Sequence, residues 1–91
     1  REHIFNLTLE NPEVKGLHEL KTRRSGLTTF IQMHIEVDPD ISLKKAHAIA
    51  DEVEATVGEA FPGAEIIIHT DPLGLEREAV SERELPKPAR K

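Results

Sequence analysis

Residues 28–37, TTFIQMHIEV, alternate apolar and polar side chains more clearly than any other stretch of the chain. Neighbouring side chains of a β-strand point to opposite faces of the sheet, so this alternation predicts a strand. One predicted face is wholly apolar: Ile31, Met33, Ile35 and Val37. The other is mostly polar: Phe30, Gln32, His34 and Glu36. Such a sheet needs helices on one face only.

The segments around this strand predict the rest of the fold. Residues 1–10 predict a short helix, which Asn11-Pro12 ends because proline disfavours helix in the residue before it. Residues 17–24 predict a strand, and Ser25-Gly26 predicts the turn that joins it to residues 28–37.

A second helix and a third strand are predicted beyond Asp38-Pro39-Asp40. Ser42 is a good N-cap, and Pro62-Gly63 ends the helical pattern. Between them, apolar residues recur at helical spacing: Leu43, Ala46, Ala50, Val53, Val57 and Ala60. Residues 64–69, AEIIIH, are rich in β-branched side chains and predict the strand.

This order predicts an α+β fold, an open-faced αββαβ sandwich of the ferredoxin-like kind, with a three-stranded sheet and two helices on one face. Residues 1–72 form the predicted domain. Residues 73–91 alternate charges and contain few large apolar side chains, so they predict a disordered C-terminal tail.

Composition excludes several classes of protein. The chain has 91 residues, which is room for a single core, and it has no cysteine for disulfides or thiolate zinc sites. Its net charge is −5 and it lacks Tyr and Trp, which argues against nucleic-acid binding. No apolar run is long enough to span a membrane. No phosphate-binding glycine loop or substrate-binding loop is evident, so we do not expect an enzyme.

Histidine is the unusual feature, because five histidines outnumber the three aromatic residues. His69 and Asp71 are two residues apart, so in an extended chain an imidazole and a carboxylate would point the same way. Both groups are ligands for zinc and similar metals. If Ile66 and Ile68 face the helices, His34 joins them on the bare face of the sheet. The alternative is that His34 is an ordinary half-exposed strand residue.

The remaining histidines are harder to place. The sequence pattern does not settle which sheet face His18 lies on. In a regular strand it would share a face with Leu20, which is apolar. His47 lies four residues before Asp51, on the same side of the second helix. That helix covers the opposite sheet face, so His47 could reach the other histidines at a sheet edge or from a second copy, which indicates a homodimer. His3 is expected to be a surface residue.

These residues together resemble a known family. Residues 16–26, GLHELKTRRSG, resemble the G-x-H-D-L-R-T-R-x-S-G signature of the cation diffusion facilitators, and residues 30–36, FIQMHIE, resemble their F-I-Q-x-H-L-E strand. Ala46-His47 followed by Asp51 is similar to A-H-x-x-x-D, and residues 67–72, IIHTDP, are similar to I-I-H-x-D-P. The branch they resemble most is the bacterial zinc and ferrous-iron efflux pumps.

The resemblance implies the C-terminal cytoplasmic domain of a membrane transporter, with a metallochaperone-like fold, on the cytoplasmic side of the bacterial inner membrane. It implies a homodimer with two zinc ions per protomer. The metal ligands that it implies are His18, His34, His47, His69 and Asp71, with Asp71 as a bridge between ions. Gln32, Glu36 and Asp51 are candidates to orient the histidines. Glu19, Lys21 and Thr70 depart from the family pattern, which has Asp, Arg and often Gln there.

The functional hypothesis is a regulatory domain that binds a divalent metal, zinc in the first place, and closes as a dimer to control transport by its own transmembrane domain. Fe²⁺, Co²⁺, Ni²⁺ and Mn²⁺ are alternatives, because nitrogen and oxygen ligands suit all of them. No nucleic acid or small-molecule substrate is expected. The rival hypotheses are a free-standing metallochaperone, a metal-free dimerisation module and a dinuclear hydrolase.

Overall fold

A β-hairpin followed by a helical crossover builds the sheet. The computed structural model describes residues 2–74. The elements, in chain order, are α1 (Glu2–Leu9), β1 (Gly16–Ser25), β2 (Thr28–Val37), α2 (Leu43–Ala60) and β3 (Glu65–Pro72). The predicted element order and the α+β class are confirmed. Residues 75–91 of the predicted tail lie outside the described residues.

The sheet has the order β1-β2-β3, with β2 in the centre. Strand β1 pairs with β2 antiparallel, as a hairpin requires, and β3 pairs with β2 parallel. Parallel neighbours need a crossover connection, and α2 supplies it. In both pairings the partnered residues lie on the same face, so the alternation of β2 extends across the whole sheet.

The helices cover the apolar face of β2, as the alternation predicts. Its residues Ile31, Met33, Ile35 and Val37 are at most 4% exposed. They form one core with residues from the helices and the loop after α1: Ile4, Val14, Ala46, Ile49, Val53 and Val57. The opposite face of the sheet carries no helix of the described chain, and we call it the uncovered face.

The buried stripe of α2 differs from the predicted one. It consists of Ala46, Ile49, Val53 and Val57, and Leu43 is 90% exposed. At 3.6 residues per turn, Leu43 lies roughly 75° around the helix from the centre of that stripe. The prediction was therefore wrong in including Leu43 and Ala60, which is exposed at the last position of the helix, and in omitting Ile49.

Local signals set the ends of α2 correctly. The Ser42 hydroxyl accepts a hydrogen bond from the Lys45 backbone N–H at 3.0 Å, so Ser42 is the N-cap. The helix ends at Ala60, and Gly63 has a φ of 86°, a left-handed conformation that glycine adopts without steric cost. The chain thereby turns back towards β3.

Strand β3 is longer than predicted, because its pairing with β2 continues as far as Val37 opposite Pro72. The Leu73 backbone N–H then donates to the Val37 carbonyl at 2.8 Å. His69 and Asp71 therefore both lie within a regular strand, which fixes them on one face.

A β-bulge in β1 decides the face of His18. His18 pairs with His34, but the next pair is Lys21 with Gln32, so Glu19 and Leu20 together stand opposite Met33. Glu19 occupies the left-handed region with a φ of 54°. The extra residue lets Leu20 pack against the core although His18 faces the other way. His18 and Leu20 therefore lie on opposite faces of the sheet, although they are two residues apart in the sequence.

Candidate metal centre

Three histidines stand in a row across the uncovered face. His18 pairs with His34, and His34 pairs with His69, so each strand contributes one ring at the same level of the sheet. The rings are stacked, with centroids 5.2 Å apart for His18 and His34 and 4.7 Å apart for His34 and His69. Cross-strand register therefore brings together residues that are far apart in the sequence.

Asp71 lies beside two of these rings. Its Oδ2 atom is 2.9 Å from Nδ1 of His34 and 3.1 Å from Nε2 of His18. The side chains of the three residues are only 22–25% exposed. Since a carboxylate only accepts hydrogen bonds, both rings donate to Asp71 when no metal is bound.

The same three residues fit a divalent metal ion. One ligand atom from each of His18, His34 and Asp71 lies within 4.8 Å of the other two. Ligand atoms about 2 Å from a tetrahedral ion lie roughly 3.3 Å apart. This is close to the 2.9 and 3.1 Å between Oδ2 of Asp71 and the two histidine nitrogens. Two imidazole nitrogens and one carboxylate oxygen suit zinc and its neighbours in the first transition row.

The structure places the other two predicted ligands differently. His69 stacks on His34 and is exposed, but it contributes no ligand atom to the three-residue group. His47 lies on α2, across the sheet from the group. Its Nε2 atom is 3.4 Å from Oδ2 of Asp51, and its side chain is 80% exposed. Within one described chain, His47 and the uncovered face are separate.

His3 takes no part in this cluster. It is exposed on α1, and its ring meets the ring of Phe61 edge-on, at 5.8 Å between centroids. It therefore lies where a surface residue was expected.

Two glutamates surround the cluster. Oε2 of Glu36 is 3.9 Å from Nε2 of His18, and the Glu36 side chain is 18% exposed. Its other oxygen, Oε1, would lie 2.5 Å from a Cβ atom at Gly16, so glycine there leaves room for this carboxylate. Glu36 was predicted to orient a histidine and does contact one.

Glu19 contacts two of the histidines but was considered in sequence only as a departure from the family pattern. Its Oε2 is 3.8 Å from Nδ1 of His18, and its Oε1 is 3.7 Å from Nε2 of His34. The only indication in the sequence was that Glu19 is adjacent to His18. In a regular strand, however, Glu19 would point to the covered face. Only the bulge turns it towards the histidines.

No helix within residues 2–74 combines the length and the apolar composition needed to cross a membrane. An αββαβ fold with a histidine–carboxylate cluster on its open face defines a domain that can hold a divalent metal ion. The chain belongs to the cation efflux protein family, since its residues 1–73 match the model of that family's cytoplasmic domain. This confirms the resemblance to cation diffusion facilitators. The family comprises transporters rather than enzymes.

Individual relatives agree with this assignment. The cation-efflux pump FieF of Shewanella oneidensis is 47% identical over 76 residues, which are 84% of this chain and 26% of the pump. The chain thus spans about a quarter of the length of the curated relatives it matches.

Solved structures show the same fold. The metal-bound C-terminal domain of the CzcD transporter from Thermotoga maritima superposes with a TM-score of 0.75 at 32% identity, covering 80% of this chain and 86% of that one. The zinc form of CzrB has a TM-score of 0.74 at 36% identity, covering 80% of this chain and 84% of that one. The metallochaperone-like fold is therefore confirmed.

Proposed function

We propose that this chain is the cytoplasmic regulatory domain of a divalent-cation efflux transporter of the bacterial inner membrane, and that it binds metal on its uncovered face. The observation that carries the proposal is the convergence of ligand atoms from His18, His34 and Asp71 within 4.8 Å of one another. Each residue lies on a different strand of one sheet, so the site is rigid and needs little reorganisation to accept an ion.

Zinc is the metal we propose. The donors are imidazole nitrogen and carboxylate oxygen, and zinc binds both at tetrahedral sites. The relatives support a divalent cation, since CzrB has been solved in a zinc form and the CzcD domain is metal-bound. Fe²⁺, Co²⁺, Ni²⁺ and Mn²⁺ share the ligand preference and are the competitors to test.

We further propose that His69 and His47 serve a second ion at a dimer interface. His69 is exposed beside His34, at the rim of the first site. His47 projects from α2 with 80% of its side chain exposed, on the other side of the same chain. A second copy that packs against the uncovered face would bring its own His47 there. Asp71 would then bridge the ions, because it has a second carboxylate oxygen.

Regulation follows from charge. The chain carries a net charge of −5, so two copies repel each other, and bound cations reduce this repulsion. Metal can favour the closed dimer only to the extent that it binds that dimer more tightly than the open one. The closed dimer would then act on the transmembrane domain of the full transporter.

Calorimetry with zinc tests this function. Wild type, His34→Ala and Asp71→Ala are titrated alongside His3→Ala, which removes a histidine outside the cluster. We expect His3→Ala to bind zinc like wild type. The two cluster variants should lose at least tenfold in affinity, because even loss of a residue that only hydrogen-bonds to a ligand typically costs tenfold or more. No binding by wild type at micromolar zinc would leave the metal-free dimerisation module as the function.

A further inference from the structure

We propose that Glu19 is a positioning residue. Its carboxylate accepts hydrogen bonds from the N–H groups of His18 and His34 that point away from Asp71. The other nitrogen of each ring is then free of its proton and can bind metal. This inference rests on the proposed function. It concerns a residue that touches neither the ion nor Asp71, and whose effect passes through the two rings.

The two carboxylates lie at opposite ends of the two rings. Asp71 meets Nε2 of His18 and Nδ1 of His34 through a single oxygen atom. Glu19 lies by the other nitrogens, with one oxygen for each: 3.8 Å to Nδ1 of His18 and 3.7 Å to Nε2 of His34. Since the rings are stacked with planes 29° apart, one side chain can serve both.

Metal binding requires each ring to exchange one tautomer for the other. Without metal, His18 donates from Nε2 and His34 from Nδ1, because Asp71 can only accept. A ring nitrogen binds metal through its lone pair, so the proton must lie on the other nitrogen when the ion is present. Those other nitrogens are the two that face Glu19. A carboxylate there stabilises the tautomers that bind metal.

The backbone of Glu19 adopts a conformation that is unfavourable for glutamate. Its φ of 54° is a left-handed conformation, which glycine, asparagine and aspartate adopt more readily than glutamate. Glu19 is the one non-glycine residue with a positive φ in the range 2–74. A glycine at this position would relax the bulge, yet it would remove a carboxylate that lies near both of those nitrogens on the side away from Asp71.

The 3.7 and 3.8 Å separations exceed hydrogen-bond length, which is about 3.2 Å. Glu19 is 52% exposed, so its side chain has room to rotate towards the rings. We expect both contacts to shorten to hydrogen bonds when the ring protons move to that side.

Glu19→Gly separates positioning from folding, because it removes the carboxylate while relieving the backbone. Zinc affinity is measured by calorimetry and thermal unfolding by circular dichroism. Glu19→Asp retains a carboxylate, and Glu65→Gln removes an equal charge from the start of β3. We expect Glu19→Gly to lose about 10–100-fold in zinc affinity, the usual effect of removing a ligand's hydrogen-bond partner, without a lower unfolding temperature. Glu19→Asp should lose less, and Glu65→Gln should resemble wild type.

Nitrogen–proton correlation NMR of the imidazole rings supplies a readout that a structural role would not change. In zinc-loaded wild type we expect the proton on Nδ1 of His18 and on Nε2 of His34, and in Glu19→Gly we expect faster exchange of both protons with water. Wild-type affinity in Glu19→Gly, or an equal loss in Glu65→Gln, would overturn the role of Glu19 while leaving the metal site intact. Absence of zinc binding in wild type would overturn both proposals.

Discussion

The two faces of β2 differ in what they contribute, although they alternate along one strand. Ile35 is fully buried against the helices, whereas the side chain of its neighbour His34 is 24% exposed and lies beside Asp71. Burying one such apolar side chain contributes about 1.5–3 kcal/mol. Stability is therefore expected to depend on one face and metal binding on the other, so substitutions one residue apart should give different phenotypes.

The largest effect is expected on the covered face. Ile35→Ala removes a side chain with no exposed surface, and such substitutions cost about 2–5 kcal/mol of the free energy of unfolding. Urea denaturation followed by circular dichroism measures this loss. Molecules that remain folded should bind zinc with the wild-type dissociation constant, and a weaker constant in the folded fraction would break the division between the faces.

The uncovered face should respond in the opposite way. His18→Ala removes one of the proposed ligands. Losing a ligand should weaken zinc binding at least as much as losing a residue that orients a ligand, which is about tenfold or more. Its side chain is 25% exposed and contributes little to the core, so the free energy of unfolding without metal should change by less than about 1 kcal/mol. A large destabilisation of the metal-free protein would show that the histidine row is structural.

A substitution at the start of α2 tests a position remote from both faces. Ser42→Ala removes the hydroxyl that accepts from the Lys45 N–H, and loss of such a cap costs about 1 kcal/mol. We expect a lower urea midpoint and unchanged zinc affinity in calorimetry. Ser42→Asn, which keeps a capping oxygen, should restore most of the stability.

The smallest expected effect is a gain in stability on the covered side. Gly58 lies inside α2, and a Cβ there would lie 3.7 Å from Cδ1 of Ile66, an ordinary van der Waals contact. Gly58→Ala should therefore raise the free energy of unfolding by about 0.5–1 kcal/mol, measured by urea denaturation. Zinc affinity should not change. A loss of stability would mean that α2 packs on β3 more tightly than this distance indicates.

The two faces of the sheet also differ in how well they could be predicted from the sequence. The alternation in β2 was sufficient to predict both faces, because strand periodicity is local. The bulge at Glu19 could not be predicted, since nothing in the residues near His18 requires an extra residue in the strand. Helical spacing in α2 predicted Val53 and Val57 but misplaced Leu43, which lies away from the centre of the buried stripe.

The candidate site was predictable to the extent that it follows from strand register. His34, His69 and Asp71 were expected on one face, and they lie there because β2 and β3 pair in parallel with His34 opposite His69. The meeting of Asp71 with two rings depends on side-chain geometry that no pattern contains. The place of His47 depends on a second copy, so its role as a ligand stays a prediction.

Anomalous diffraction from crystals grown with zinc tests the central claim most directly. Data collected on both sides of the zinc absorption edge locate the ion without reference to the protein model. We expect the strongest peak on the uncovered face, about 2.1 Å from Nε2 of His18 and Nδ1 of His34 and beside an Asp71 carboxylate oxygen. A peak only at His3, or only between His47 and Asp51 of one copy, would contradict a metal centre on this face.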